Sequence, residues 1–277
     1  MLPDAPPAPS HQRADGRAEL GLVAGPGGAR IAHLYQSSPL RMLFPDSDPG
    51  EPKQAALVNV AGGLAGGDSL SVALDLGASA QCTATTPAAE KIYRSLGPET
   101  RVASSLTLAE NSTCEWLPQE TILFDGARLD RRMHIALAGS ARLLAVDMLV
   151  LGRAARGESV TCGALHDRWR ISRDGRLIWA DGLRLASPPS GALESRFALD
   201  GAGAVATLLL AMPDAALHRD LARSLADGGA GVVAPGLLIA RWMGEASAVR
   251  RGLSAAIQAL RQAALGLPPR LPRLWRT

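Results

Sequence analysis

The sequence has few of the residues that build metal centres and disulfide frameworks, with only three cysteines and five histidines. Cys82, Cys114 and Cys162 are widely spaced and form no Cys-x-x-Cys pair, which argues against disulfides and against a structural zinc site. Cys162 and His166, four residues apart, give a weak indication of metal binding. A protein that stores metal would need a tight His/Cys site, and the sequence offers none.

The chain also lacks long apolar runs and has little lysine. The best apolar run, residues 143–151, is shorter than the roughly 20 residues of a membrane span and contains Asp147. Only Lys53 and Lys91 are lysines, so 27 of the 29 basic residues are arginine, and the net charge is +3. The arginines are scattered, which argues against nucleic-acid binding. Arginine forms bidentate ion pairs at interfaces, so its excess suits a protein that docks other proteins.

The N-terminal region shows no targeting signal. Residues 1–19 are rich in proline and alanine, and they lack the basic start and apolar run of a secretory signal. We predict a disordered arm over residues 1–19, a single domain over residues 20–277 and a cytoplasmic location. Neither a membrane nor a nucleic acid is expected as a partner.

The dominant pattern is an alternation of apolar and polar residues. In its clearest run, Leu70, Val72, Leu74 and Leu76 alternate with small or polar residues. Alternation gives a strand one buried face and one solvated face, which favours antiparallel strands. Strand candidates recur from residue 20 to residue 212, and Asp174-Gly175 indicates a two-residue hairpin turn. The sequence therefore predicts a mainly β fold, without a visible sequence repeat of 20–50 residues.

Two helices are predicted within residues 214–265. The first begins after Pro213 with Asp214 as its N-cap, and Gly228-Gly229 ends it. The second covers residues 245–265 and stops at Gly266. The apolar lines are Leu217, Leu221 and Leu225 in the first helix and Val249, Leu253, Ile257 and Leu260 in the second.

The most unusual segment is a glycine-rich loop at residues 62–68, where Gly62, Gly63, Gly66 and Gly67 precede Asp68. A phosphate-binding loop would end in Gly-Lys-Ser/Thr and lead into a helix, whereas this segment leads into a strand pattern. Four glycines are costly in conformational entropy, so we expect positive φ angles or the close approach of another segment. A tight crossing between strands and a partner surface both fit this loop.

Three further segments carry charged residues, and two of them also contain an aromatic residue. They are residues 85–95, with Tyr93 and Arg94; residues 117–125, with Glu120 and Asp125; and residues 151–158, with Arg153 and Glu158. Taken alone, each fits a structural salt bridge or a turn. Glu120 and Asp125 also admit an alternative function, because paired carboxylates could serve a β-rich hydrolase.

The four segments, in this order and at this spacing, resemble the UreD (UreH) family of urease accessory proteins. Residues 271–277 resemble the tail of that family, and the similarity covers residues 20–277. Three positions depart from the usual pattern. Pro87 and Glu90 stand where the family more usually has an amide and a small polar residue, and Asp147 stands where a glutamate is usual.

The resemblance implies a twisted, helix-like stack of antiparallel and mixed strands with two C-terminal helices. It implies a protein without enzymatic activity and without a tightly bound cofactor. Its partners would be UreF, the GTPase UreG through UreF, and the subunits of apo-urease. Nickel would be in transit, passing through UreF and this chain toward the urease active site.

Within this resemblance, we predict weak, water-assisted nickel contacts at Asp68 first and at Glu120 second, because clustered thiolates or imidazoles would hold the ion too tightly. The alternative is a structural pair with an arginine for each carboxylate. The helix at residues 245–265 and the tail are the predicted UreF contact, and we expect low solubility of the chain alone. The motif and interface residues are Gly62, Gly63, Gly66, Gly67, Tyr93, Arg94, Asp125, Arg153, Glu158 and Trp275.

Overall fold

The computed structural model describes residues 13–186, 190–196 and 198–276. About half of these residues lie in two facing β-sheets. The strands are β1 (Asp15–Gly25), β2 (Gly28–Gln36), β3 (Leu40–Leu43), β4 (Lys53–Asn59), β5 (Ser69–Leu76), β6 (Gln81–Thr85), β7 (Glu90–Ile92), β8 (Thr100–Leu108), β9 (Thr113–Leu117), β10 (Thr121–Leu123), β11 (Arg128–Leu137), β12 (Arg142–Leu151), β13 (Ala164–Arg173), β14 (Arg176–Leu185), β15 (Ala204–Ala211), β16 (Ala230–Ala234) and β17 (Leu237–Gly244). The α-helices are α1 (Ser190–Glu194), α2 (Arg219–Leu225) and α3 (Ala246–Leu260).

The chain passes back and forth between the two sheets. The first sheet has the order β14-β13-β11-β8-β5-β1-β2, and the second has the order β16-β17-β15-β12-β9-β6-β4-β3, with β7 and β10 alongside. From β5 to β13, each return to a sheet adds a parallel strand beside the previous strand of that sheet, as when β8 pairs with β5 and β11 pairs with β8. The result is a solenoid-like stack, so the predicted helix-like β fold is confirmed.

The alternation pattern predicted burial correctly but strand direction incorrectly. Leu70, Val72, Leu74 and Leu76 are all buried. Their strand, β5, nevertheless runs parallel to both of its neighbours, β1 and β8. Parallel sheets are normally covered by crossover helices on both faces. Here the chain returns through the second sheet instead, which leaves one face of a parallel sheet in water.

Antiparallel pairing occurs at the borders of the parallel region. The hairpin of β13 and β14 turns at Asp174-Gly175, where both residues have positive φ angles of 51° and 75°. These angles fit the predicted two-residue turn, whose twist matches that of the flanking strands. The pairs β1–β2, β3–β4 and the run β12–β15–β17–β16 are also antiparallel.

The ordered domain begins earlier than predicted. Residues 15–19 belong to β1, which pairs in parallel with β5, so the boundary at residue 19 is corrected. Ala18 and Leu20 continue the alternation of buried positions into this segment. Residues 13 and 14 precede this strand, and residues 1–12 of the predicted arm lie outside the described residues.

The second predicted helix is confirmed in position and in its buried face. Val249, Leu253, Ile257 and Leu260 are all buried in α3. Glu245 is its N-cap and accepts hydrogen bonds from the amides of Ser247 and Ala248, both at 2.9 Å. A π-helical segment, Arg261–Leu265, extends the helix to Gly266, which has a left-handed φ of 68°.

The first predicted helix is shorter than its apolar line suggested. A 3-10 turn at Ala215–His218 precedes α2, and Asp214 makes no side-chain cap. Because a 3-10 turn has three residues per turn, Leu217 leaves the line of the α-helix and is 79% exposed. Leu221 and Leu225 pack partly against the core. None of the helices in the described part of the chain is long and apolar enough to cross a membrane.

Candidate functional site

The glycine-rich loop is held by the carboxylate that ends it. One oxygen of Asp68 accepts a hydrogen bond from the Ala14 amide at 2.9 Å, and the other accepts one from the Ala65 amide at 2.7 Å. Asp68 is 8% exposed. Both oxygens therefore bind backbone groups rather than an arginine, and they fix the loop against the start of β1.

The loop glycines show both features predicted from the sequence, which are positive φ angles and the close approach of another segment. The φ angles are 74° at Gly62, 151° at Gly63 and 96° at Gly67. A Cβ atom on Gly63 would fall 2.5 Å from the Tyr93 ring, and one on Gly66 would fall 2.6 Å from a backbone carbonyl oxygen. Tyr93 also donates a hydrogen bond from its hydroxyl to the Gly62 carbonyl at 3.0 Å. The loop is thus a tight crossing over the segment that carries Tyr93.

Three of the sequence motifs meet around one aromatic side chain. Tyr93 packs edge-on against Phe124, with ring centroids 5.1 Å apart. The guanidinium of Arg153 lies over the Phe124 ring, 4.1 Å from its centroid. Arg153 forms an ion pair with Glu158, and Glu158 accepts a hydrogen bond from the Asp125 amide at 3.2 Å. Motifs about 30 residues apart in sequence are therefore neighbours in space.

Asp125 ties the neighbouring turns together. One of its oxygens accepts hydrogen bonds from the Thr161 amide at 2.7 Å and the Cys162 amide at 3.0 Å, and the other accepts one from Arg94 at 2.6 Å. The Thr161 amide is the largest of the influences that hold the pKa of Asp125 well below its usual range. Asp125 is therefore ionised and structurally engaged. We call the surface formed by Gly62, Tyr93, Arg94, Phe124, Asp125, Arg153 and Glu158 the motif face.

Glu120 lies elsewhere, against the helical layer. It forms an ion pair with Arg250 of α3, which also donates to the side-chain oxygen of Gln119 at 2.8 Å. Arg250 in turn lies 5.0 Å from the ring centroid of Trp275. Glu120 thus has an arginine partner, as the structural alternative predicted. Glu120 and Asp125 are thus paired with different arginines, Arg250 and Arg94.

Trp275 is part of the core rather than of an exposed surface. It is 6% exposed, and its indole nitrogen donates to the Leu117 carbonyl at 2.9 Å. Gln119 donates to the Leu274 carbonyl at 2.6 Å, which fixes the tail against the second sheet. A direct partner contact by the Trp275 ring would require this packing to open.

A buried ionic cluster that the sequence did not reveal anchors the same tail. Arg261 and Glu115 are both fully buried, and the Arg261 Nε atom donates to Glu115 at 2.6 Å. Arg261 also pairs with Glu51, which accepts from Arg270 at 2.7 Å. Burial alone would lower the pKa of Arg261, but the hydrogen bonds and charges of Glu115 and Glu51 raise it above its usual range. This cluster joins the π-helical extension of α3, the tail, β9 and the segment before β4.

A cavity of about 270 Å³ lies between the two sheets. Much of its wall is apolar, with Leu70, Val72, Ile92, Trp116, Met133 and Trp169 among the lining residues. Glu90, Arg131 and Asp147 interrupt this apolar wall. Burial raises the pKa of Glu90. The side-chain Nδ2 of Asn59, 3.1 Å from both Glu90 oxygens, only partly opposes this shift. An apolar chamber with a few charged groups has the composition of a small-ligand or ion site.

Arg131 bridges the two sheets at one wall of this cavity. It donates to Asp147 of the second sheet at 2.8 and 2.5 Å, and to Asp167 of the first sheet at 2.9 and 2.7 Å. A further contact joins it to the Thr121 hydroxyl at 3.3 Å. Burial raises the pKa of Asp147, and the charge of Arg131 only partly opposes that shift. Two carboxylates therefore share one guanidinium.

Asp68 and Glu120, the two residues predicted to contact nickel, are not among the residues that line the cavity. Glu90 and Asp147 do line it, and the sequence had marked them only as departures from the family pattern. Arg131 and Asp167 were missed, although strand alternation could have found them. Arg131 stands two residues before Met133, and Asp167 two before Trp169, at inward positions of their strands. Among the described residues, no group of three or more histidine, cysteine or acidic side chains could hold a metal ion.

Fold and site together define a two-sheet β-solenoid that encloses a charged cavity and carries a helical layer on one sheet. The model of the UreD urease accessory protein family matches residues 14–276. The urease accessory protein UreD of Granulibacter bethesdensis is 51% identical over 238 residues, which cover 84% of this chain and 99% of that protein. The UreD of Methylobacterium sp. strain 4-46 is 45% identical over 98% of both chains. The chain therefore belongs to the UreD family of urease accessory proteins, and its role lies in urease maturation.

Proposed function

We propose that this protein is a non-catalytic scaffold that docks on apo-urease in the cytoplasm. With UreF, and with the GTPase UreG through UreF, it supports the GTP-dependent insertion of nickel into the urease active site. The observation that carries the proposal is a cavity lined by half-buried carboxylates in a chain of the UreD family. Such a chamber suits an ion in passage better than an ion at rest.

Nickel would pass through the cavity as cargo. Carboxylate and water oxygens bind a borderline divalent ion more weakly than imidazole or thiolate groups do, so they allow its release. Glu90 and Asp147 line the cavity, and an ion at Asp147 would compete with Arg131 for both carboxylate oxygens. Weak nickel contacts at Asp68 and Glu120 remain a second proposal. There the ion would compete with two backbone amides at Asp68 and with Arg250 at Glu120.

The motif face is the proposed docking surface for apo-urease. Tyrosine and arginine are the residue types that dominate binding energy at interfaces. Tyr93 is 36% exposed, and the neighbouring Leu96 is 87% exposed. For UreF we propose the solvent-facing side of α3, where Arg251 is exposed, rather than the Trp275 ring; Leu217, in the 3-10 turn before α2, is a further exposed apolar residue. These exposed apolar side chains also support the expectation of low solubility without a partner.

The route is tested by filling the cavity. Ser104 lines it, so Ser104→Trp would obstruct it, whereas Ser105→Trp places the same side chain on the exposed face of the same strand. Both variants are co-expressed with urease, UreF and UreG, and complexes are checked by size exclusion. We expect Ser104→Trp complexes to assemble but to yield urease with little nickel and little activity, while Ser105→Trp behaves as wild type.

A second pair of variants keeps the volume of the cavity constant. Glu90→Gln and Asp147→Asn remove the carboxylate charges and should slow the loading of urease with nickel. Urease that fills with nickel at the wild-type rate in Ser104→Trp complexes would refute the route. Loss of complex formation in Ser104→Trp alone would transfer the test to the two isosteric variants, whose normal nickel loading would have the same meaning.

A further inference from the structure

We propose that Arg131 is a built-in counter-cation that prevents Asp147 and Asp167 from retaining a divalent metal ion in the cavity wall. The inference rests on the proposed nickel route, and it assigns to that route a residue that keeps the passage from becoming a trap. The relevant chemistry is competition between a guanidinium and a divalent cation for the same carboxylate oxygens.

The geometry brings four carboxylate oxygens onto one point. Asp147 and Asp167 come from facing sheets, and all four of their oxygens lie within 2.5–2.9 Å of Arg131 nitrogens. The Thr121 hydroxyl, 3.3 Å from the same guanidinium, adds a neutral oxygen. Oxygen donors converging from several directions are what a hard or borderline divalent ion requires. In this protein, the guanidinium occupies their point of convergence.

Charge and burial explain why an arginine is needed there. Arg131 and Asp147 have side chains only 14% exposed, and Asp167 is 7% exposed. Without Arg131, two buried carboxylates would stand close together, and they would be stabilised only by taking up protons or a cation. A passing divalent ion would neutralise both and would be held. With Arg131 present, all four carboxylate oxygens are already bonded to its guanidinium, so a passing cation finds no complete ligand set.

The position of Arg131 in the fold supports this role. It occupies an inward position of β11, directly opposite Asp167 in the parallel register, where the neighbouring inward residues Leu129 and Met133 are apolar. A buried ion cluster is rarely more stable than well-packed apolar residues of similar volume. A charge at this position therefore points to a function in the cavity, and the cavity wall is where Arg131 and Asp147 both lie.

The test measures metal binding by the purified chain, in complex with UreF where that is needed for solubility. Arg131→Met keeps an apolar stem and removes the charge, and Arg170→Met makes the same substitution at an exposed position on β13. Nickel binding is followed by equilibrium dialysis with metal analysis. We expect Arg131→Met to bind about one Ni²⁺ per chain, at least about tenfold more tightly than wild type, since a paired cation no longer competes. The control should match wild type.

Two further variants keep the proposal testable. Adding Asp147→Asn and Asp167→Asn to Arg131→Met should abolish the gain, because the proposed ligands are gone. Arg131→Lys retains a cation without the fork that grips both carboxylates, so an intermediate gain is expected even if Arg131→Met fails to fold. Unchanged nickel affinity in the folded Arg131 variants would overturn the proposal, and so would a gain that survives removal of both carboxylates.

The same experiments separate this inference from the proposed function. Tight nickel binding by Arg131→Met, together with normal urease loading in Ser104→Trp complexes, would support the counter-cation and refute the route. Unchanged binding by Arg131→Met, together with blocked loading in Ser104→Trp complexes, would refute the counter-cation and leave the route standing.

Discussion

Replacing Arg261 with methionine should destabilise the protein strongly, because the substitution leaves Glu115 buried without its cation. Arg261 and Glu115 have no exposed surface, and the Glu51 side chain is only 4% exposed. Removing one partner of a buried ion pair costs about 3–5 kcal/mol, since the remaining charge stays desolvated. Glu51 keeps a second partner in Arg270, so most of the loss should come from Glu115.

The assay is equilibrium unfolding in urea, followed by circular dichroism, with a parallel thermal scan. A loss of that size should lower Tm by about 6–20 °C in a chain of this length. Arg273→Met is the matched control, because Arg273 is exposed in its pair with Asp48 and its loss should shift the unfolding curve far less. Adding Glu115→Gln to Arg261→Met should restore part of the stability. An Arg261→Met protein that unfolds within about 1 kcal/mol of wild type would refute the reasoning.

The remaining predictions concern the glycine-rich loop and Glu90. Gly63→Ala should destabilise the fold by about 1–3 kcal/mol, because its Cβ would overlap the Tyr93 ring. Gly62→Ala is the control and should cost less, because nothing lies within 4 Å of its Cβ. Equal losses of unfolding free energy in urea titrations of the two variants would contradict the predicted overlap. Burial raises the pKa of Glu90 above 4.5, so the folded state binds more protons than the unfolded state as pH rises from 4.5 through the folded pKa. The unfolding free energy of the wild type should therefore fall as pH rises across that window, and this pH-dependent fall should be absent in Glu90→Gln. Identical pH profiles of the unfolding free energy in the two proteins would show that Glu90 is not destabilised by burial.

Local patterns in the sequence predicted the strands and their buried faces well. The apolar alternation of β5 and the apolar line of α3 both correspond to buried side chains. Strand direction was not predictable in the same way, because alternation records only that one face is buried. A solenoid and an antiparallel sandwich produce the same pattern within any single strand.

The candidate site was harder to predict, because its members pair across long stretches of sequence. Asp68 and Glu120 belong to conspicuous motifs, but Asp68 binds the backbone of its own loop and Glu120 pairs with Arg250 of α3. Arg131 and Asp167 are 36 positions apart in the sequence. The only local sign of them is that each stands at an inward-facing position of an alternating strand. Charged residues at inward positions of alternating strands were the signal that went unused. Arg261 and Glu115, 146 positions apart, left no comparable local signal.

The pairing of Glu51 with Arg261 has a consequence for how the molecule opens. In a linear array of stacked coils, each coil contacts only its neighbours, so the array can fray from either end. Here a residue that precedes β4 is bound to residues that follow α3, across separations of 210 and 219 positions. The contact turns a linear stack into a closed loop. Early and late coils should therefore open as one cooperative unit rather than fray independently, which keeps the inner faces of both sheets covered during local fluctuations.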